Sequence, residues 1–362
     1  MGLLRTLLAL DVLLSHVGSP IIFFGGQIDV QLFYVISGFL ISYILVERKS
    51  YASIGNFYLN RYLRLYPIYL VVASFTLFVI VLASFGLVPD YSFFDFPKNA
   101  PFVANALLIF TNITLFFQDW TMFFAVENNQ LLFSTDFAKS QVELYRSLLV
   151  PQAWTLGVEL SFYLIAPFVI TRKRVLFFFL GVSIAIRMYL IFSGLASRVP
   201  WSFRFFPSEL TFFLLGALSH QILLPFYRGL ISKEKIGIFA NLSTFAIIFT
   251  AISFWHIPIA QDIKTLLLFG FFVVLLPLIF LFEFKGGWDK KIGELSYPIY
   301  ISHLLIIYMV VAGLERFGID NTILKIIFSV LLTILFSIML NKFIGVPIEF
   351  FRNRFRVKIK KT

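Results

Sequence analysis

Arg5 and His16 are ionisable residues eleven positions apart in RTLLALDVLLSH, an otherwise apolar stretch. Such groups are costly in hydrocarbon, so each needs a partner, a route to water or a function. On a helix, eleven steps of about 100° come about 20° past three turns, so the two side chains share a face, roughly 16 Å apart along the axis. Ala9 and Val12 lie between them and leave room for a partner helix or a substrate. Glu159, in WTLGVELSFYLIAP, is a third intramembrane ionisable group. If its segment enters from the opposite side, Glu159 and His16 sit at one depth, roughly 12 Å from the outer face. A carboxylate and an imidazole at one depth form an acid–base pair, in which the carboxylate orients the ring and the free nitrogen takes a proton. Arg61 and Arg64, in NRYLRLYP, are three residues apart and share a helix face. Two forked guanidiniums suit a phosphate-bearing ligand, although they equally serve as surface charge. Arg5 reaches the same inner surface. Arg187 and Glu209 sit in outer halves of other apolar segments and can partner each other or Glu159. His303, in the inner half of its segment, is expected to make a structural hydrogen bond. Asp11, about 120° from the Arg5 face, is expected to meet another helix.

The elements that must position these groups are membrane helices. The chain has 362 residues, 59% of them hydrophobic and only 14% charged, with a mean hydropathy of +0.90. Soluble domains carry about 25% charged residues. Cysteine is absent, which excludes disulfides, thiol nucleophiles and cysteine metal sites. No metal ligand set stands out. The net charge of +11 reads as basic loops at a membrane surface, not as nucleic-acid binding. Eleven apolar segments are long enough to be considered as spans: 3–24, 30–46, 66–88, 102–117, 151–170, 175–193, 204–224, 236–255, 264–282, 296–313 and 323–346. Basic clusters at Arg48–Lys49 with Arg61 and Arg64, at 172–174, at Arg228 with Lys233 and Lys235, at Lys285 with Lys290 and Lys291, and in the tail belong on the cytoplasmic side. The loops 89–100 and 118–150 belong outside. Both flank 102–117, so that run reads as re-entrant or interfacial. The expected fold is therefore all-α, with about ten transmembrane helices, both termini cytoplasmic, a transmembrane domain at 1–346 and a basic tail at 347–362.

Taken in order, Arg5 with His16, VQLFYVISGFLIS, NRYLRLYP, AWTLGVELSFYL and LSYPIYISHLLI resemble the membrane acyltransferase-3 family over nearly the whole chain. The resemblance implies a ten-helix integral membrane enzyme. Such an enzyme takes an acyl group, usually acetyl from acetyl-CoA, to a sugar hydroxyl of a surface polysaccharide, peptidoglycan or lipopolysaccharide, in a bacterial cytoplasmic (inner) membrane. It also implies that His16 is the catalytic histidine with Glu159 beside it. Arg5, Arg61 and Arg64 would serve the acyl-CoA, and His303 matches a recurrent histidine. Asp11, Arg187 and Glu209 stay secondary candidates. Acetyl-CoA is the donor substrate and no resident cofactor is implied. The other partners are membrane lipids and a glycan or lipid-linked glycan acceptor. A separate periplasmic transfer protein would be needed if the chain does not finish the transfer itself. The competing reading is a transporter or flippase of lipid-linked glycans with an intramembrane His/Glu relay.

Overall fold

A chain this apolar enters a bilayer only if its backbone polar groups are satisfied internally, and helices do this within one segment. The computed structural model describes residues 1–88, 94, 100–137, 140, 142–282 and 287–356. Most of the loop 89–100, with Lys285, Lys358, Lys360 and Lys361, lies outside the described residues. The described helices are α1 (Gly2–His16), α2 (Gly26–Ser42), α3 (Ile54–Ser84), α4 (Phe102–Thr114), α5 (Trp154–Val169), α6 (Lys173–Phe192), α7 (Phe206–Leu218), α8 (Leu224–Leu230), α9 (Ile236–Ser253), α10 (Gln261–Leu281), α11 (Trp288–Arg316), α12 (Thr322–Leu340) and α13 (Val346–Arg352). Among the described residues, eight helical runs are long and apolar enough to cross a membrane, counting α7–α8 as one run and α12–α13 as another. With 15 and 16 residues, α1 and α5 occupy the places of the two other expected spans. The protein is an all-α integral membrane protein.

Contacts between helix ends define two sides. At the near side, Met1 meets Asp289, Asn60 meets Arg352 and Glu47 meets Arg228. At the far side, His16 meets His303, Phe24 meets Phe254 and Trp201 meets Thr135. The run at 102–117 is re-entrant, as expected. Its helix α4 descends along α3 until Tyr62 and Tyr69 donate to the carbonyls of Thr114 and Asn112. Leu115 and Phe117, both at positive φ, then reverse the chain, and Gln118 donates back to the Tyr69 hydroxyl. The far-side loop continues into a hairpin, β1 (Phe124–Glu127) with β2 (Gln130–Phe133), that hydropathy did not disclose.

Two expectations about helix ends are corrected. The first apolar run, 3–24, is not one span. Its helix α1 stops at His16, Gly18 adopts φ +72° and the chain turns back into α2. Asp11 stabilises that turn by accepting from the backbone N–H groups of Phe23, Phe24 and Gly25 at 2.8, 2.8 and 3.0 Å. Asp11 therefore meets another helix, as expected, by holding the turn that leads into the N-terminus of α2. The second correction is α11, which begins at Trp288 instead of 296, so His303 falls past its midpoint and towards the far side.

Two glycine contacts lock the bundle around the site. A Cβ on Gly38 of α2 would lie 1.8 Å from the carbonyl oxygen of Phe213 on α7, and one on Gly216 would lie 1.9 Å from that of Val35. Likewise, a Cβ on Gly2 of α1 would lie 1.7 Å from the Asp289 carbonyl oxygen on α11. Small residues of this kind let membrane helices approach to backbone contact. Replacing Gly38 by Val should force α2 off α7 and cost on the order of 1–3 kcal/mol or more. A lowered Tm of the purified protein checks this, and an unchanged Tm would refute the close contact.

Candidate active site

Inside the bundle lies a cavity with about 720 Å³ of unfilled space, its open mouth included. Arg5 of α1, Arg61 and Arg64 of α3, and Glu159 of α5 all line it. Three positive groups thus face one negative group, a formal excess of two positive charges. Arg61 is 2% exposed. Its Nη2 donates to the Tyr51 hydroxyl at 2.8 Å, while its Nε and Nη1 are buried without a protein partner. That burial does not suit a residue serving only as surface charge. Among the described residues, Arg5 and Arg64 have no carboxylate within ion-pair range. An unneutralised trio of guanidiniums in a confined space is a site for an anion with several oxygen acceptors. Tyr297 and Tyr300 of α11 line the rest of the cavity, with Tyr34 and Ser37 of α2.

Glu159 does not hold His16. Its Oε1 accepts from Ser37 Oγ at 2.8 Å and from the Tyr163 hydroxyl in a short bond. The expected His16–Glu159 pair is not formed: His16 is the last residue of α1, whereas Glu159 lines the cavity with Arg5, eleven residues earlier on that helix. Its partner is His303, with ring centroids 4.9 Å apart. The structural hydrogen bond expected of His303 is present, from Nδ1 to the Tyr300 carbonyl at 2.6 Å. His16 Nδ1 makes the equivalent bond to the Val12 carbonyl at 2.8 Å. A carbonyl only accepts, so both rings carry their proton on Nδ1 and present a lone pair at Nε2. His303 Nε2 is buried without a protein partner, an acceptor waiting for a donor. Between Arg5 and His16, Ala9 and Val12 are fully packed, so their small size serves a neighbouring helix.

Tyr300 separates the two centres. It lines the cavity, and its ring lies 5.8 Å from that of His303 and 6.2 Å from that of Phe33. The arrangement is a cationic chamber on the near side, an aromatic partition, and a two-imidazole base on the far side. A family model described as "Acyltransferase domain", that of the acyltransferase-3 family, matches residues 1–342. The chain belongs to the acyltransferase-3 family. Neither the curated proteins nor the solved structures contain a match.

The remaining charges of this acyltransferase divide into paired and unpaired. Arg187 and Glu209 partner each other at 2.5 Å, and Gln31 donates to the same carboxylate at 3.0 and 3.3 Å. That set neutralises its charges and joins α2, α6 and α7, although Arg187 Nε keeps no partner. On the near side, where α2 and α7 both widen into π-helix, His220 bridges Ser42 (2.9 Å) and Glu47 (3.2 Å), and Arg228 closes on Glu47. Sequence reasoning missed Ser37 and Tyr163, which hold Glu159, and the partition residue Tyr300. Ser37 and Tyr163 stood inside the quoted motifs, and only spacing from Glu159 at i+4 pointed to Tyr163. It also missed two far-side residues, Arg204 and Asp119.

Asp119 is 1% exposed, and its Oδ1 has no hydrogen-bond partner. It packs so closely on Gly157 that a Cβ there would lie 2.5 Å from Oδ1. Burial pushes its carboxyl up to about 7, against the pull of its own backbone N–H and of Arg204. Folding therefore favours the protonated form. Below about pH 4 both folded and unfolded chains hold the proton, and the site costs nothing. As pH rises the unfolded chain ionises first, so stability falls until the folded carboxyl ionises near 7. Asp119→Asn should raise Tm over the wild type at pH 8, with the gain shrinking towards pH 4. A difference that does not vary with pH would remove the buried carboxyl from this account.

Proposed function

We propose that this acyltransferase moves acetyl from acetyl-CoA to a hydroxyl of a cell-surface polysaccharide or lipopolysaccharide sugar. The observation that carries the reading is the convergence of Arg5, Arg61 and Arg64 in one cavity with a single carboxylate. Coenzyme A carries three phosphate groups, and no other acyl donor chemistry explains three unneutralised guanidiniums as well. The phosphates sit on the arginines. The pantetheine arm runs past Glu159 and Tyr297 to the Tyr300 partition, along the roughly 16 Å of helix axis from Arg5 to His16. On the far side, His16 Nε2 takes the proton of the acceptor hydroxyl as that oxygen attacks the thioester carbonyl. The His303 ring, its centroid 4.9 Å from that of His16, flanks the base. Glu159, held by Ser37 and Tyr163, balances the arginine charge and is not the orienting group for the base.

The placement of basic loops supports a bacterial cytoplasmic membrane with the near side, and both termini, in the cytoplasm. Acetyl-CoA is cytoplasmic, and the acceptor enters from the far side, bounded by the hairpin. The decisive experiment supplies acetyl-CoA and surface glycan to the purified protein and follows thiol release, with mass spectrometry of surface glycans from cells with and without the gene. Release of thiol without glycan acetylation would point to a separate periplasmic transfer protein. No thiol release would overturn the donor assignment.

Two variants follow. Arg64→Ala removes an unpaired, half-buried guanidinium and should weaken acetyl-CoA binding by about 1.5–3 kcal/mol with Tm unchanged. Equal affinity in a direct binding assay would leave Arg64 as a topology signal. His16→Gln keeps a hydrogen-bonding side chain but cannot shuttle a proton, so acetyl transfer should be lost while donor binding persists. Wild-type acetylation by His16→Gln would end the base assignment.

A further inference from the structure

Arg204 belongs to the far-side loop just ahead of α7, and no step above uses it. Its guanidinium lies 4.4 Å from the centre of the Trp154 ring and 5.4 Å from that of Phe203. Aromatic faces hold a cation in place without neutralising it. Among the described residues Arg204 makes no ion pair, and its Nε is buried without a partner. Its position is tied to the reacting end of the cavity. Trp154 opens α5, and the next two residues, Thr155 and Leu156, line the cavity. Just before it, Gln152 donates to the Ile301 carbonyl at 2.7 Å and accepts from the Tyr300 hydroxyl at 3.2 Å. Both contacts lie beside His303. Through Gln152 the seat of Arg204 adjoins Tyr300, whose ring lies 5.8 Å from that of His303, itself 4.9 Å from that of His16. An unpaired guanidinium and the positive end of α5 therefore converge on the place where Tyr300 meets the two imidazoles.

We propose that Arg204 stabilises the oxyanion formed when the acceptor hydroxyl attacks the thioester beside His16. The proposal rests on the acyltransferase reading above. The acceptor oxygen forms its bond to the carbonyl carbon, its proton passes to His16 Nε2, and the carbonyl electron pair becomes an alkoxide facing Arg204. Collapse of that intermediate restores the carbonyl, breaks the carbon–sulfur bond, and returns the proton from His16 to the departing thiolate. A preorganised cation at that point is worth most because the charge exists only in the transition region and water is scarce. The aromatic seat explains why a carboxylate partner is absent: a tight ion pair would leave nothing for the oxyanion.

The test compares wild type, Arg204→Gln and Arg204→Lys as purified full-length protein in nanodiscs. The readouts are thiol release from acetyl-CoA, KM for acetyl-CoA and for the acceptor glycan, and Tm. Wild-type thiol release must be seen first; its absence would overturn the acyltransferase donor assignment, not this proposal. Arg204→Gln should lower kcat about 100-fold or more per folded protein, with KM for acetyl-CoA unchanged. A kcat within about threefold of wild type overturns the proposal. So does a loss confined to KM for the acceptor, which would make Arg204 a binding group for an anionic glycan. A role limited to packing on Trp154 moves Tm and leaves kcat alone. Should Arg204→Gln not fold, Arg204→Lys decides: it keeps a cation but not the planar fork, and should lower kcat about tenfold at constant KM. Wild-type kcat in that variant overturns the proposal.

Discussion

The site depends on the contact between α1 and α11. At the near end the two backbones touch at Gly2 and Gly293, and the Asp289 carboxylate accepts from the amide N–H groups of Gly2 and Leu3 at 2.9 and 2.8 Å. Those are two of the first donors of α1, which a helix cannot satisfy from within. The same carboxylate faces the terminal amine at 3.2 Å. Fixing that end fixes the vertical position of α1 against α11 along its whole length. Arg5 then arrives in the cavity with Tyr297 and Tyr300, and His16 arrives opposite His303. A slip of one helical turn, about 5.4 Å, would part the imidazoles. The histidine pair at the far side is thus held by a cap at the near side.

The distribution of charge separates structure from chemistry. Hydrocarbon tolerates ionised groups when they are paired, and Arg187 with Glu209 meets that condition: each charge has its opposite in direct contact. The cavity arginines do not meet it. Arg61 buries two N–H-bearing nitrogens with no protein acceptor, and Glu159 spends one of its carboxylate oxygens on Ser37 and Tyr163 instead. Such an arrangement persists only if the helices around it are held by other contacts. The α2–α7 glycine crossing and the mutual bonds of Asn60 and Arg352 supply them. Arg352, read from sequence as part of a basic tail, is in fact 6% exposed and docks the end of the chain beside Arg61.

Much of this was legible in the sequence, and the boundary is physical. Hydropathy and loop charge disclosed the all-helical membrane fold and the re-entrant run, because the length of an apolar segment and the sign of its flanks are bulk properties. The three-residue spacing of Arg61 and Arg64 disclosed a shared face, and both line one cavity with Arg5. What failed was depth. Counting residues along 3–24 placed His16 level with Glu159, yet Glu159 lines the cavity with Arg5 while His16 ends α1 beside His303. Glu159 was matched to His16 on that wrong depth. The true neighbours, His303, Ser37 and Tyr163, are set by how helices pack face to face, which a single sequence does not encode in any local period. Arg204 was invisible for the same reason: its signal is an aromatic seat contributed by Trp154, fifty residues away.

The order of centres along the bundle also constrains how transfer must run. Tyr300 stands between the arginine chamber and the imidazole pair; its ring touches both Phe33 and His303 while its hydroxyl is tied to Gln152. On the proposed reading, a single ligand long and thin enough to pass that partition would keep its phosphates on one side while its reactive end meets the imidazoles on the other. Bulk water and free ions gain no such advantage, because the route is lined by aromatic rings and its fixed charge sits at one end. On the proposed acetyl-CoA reading, binding energy and chemistry are separated: affinity would come from charge on the near side, and reactivity from the imidazoles and one unpaired cation on the far side. Uniform donor binding at the arginines does not by itself speed transfer, whereas groups that meet charge only as it develops do. On that reading the residues that set the rate would lie at the far end, away from the motif that most resembles a ligand site in the sequence.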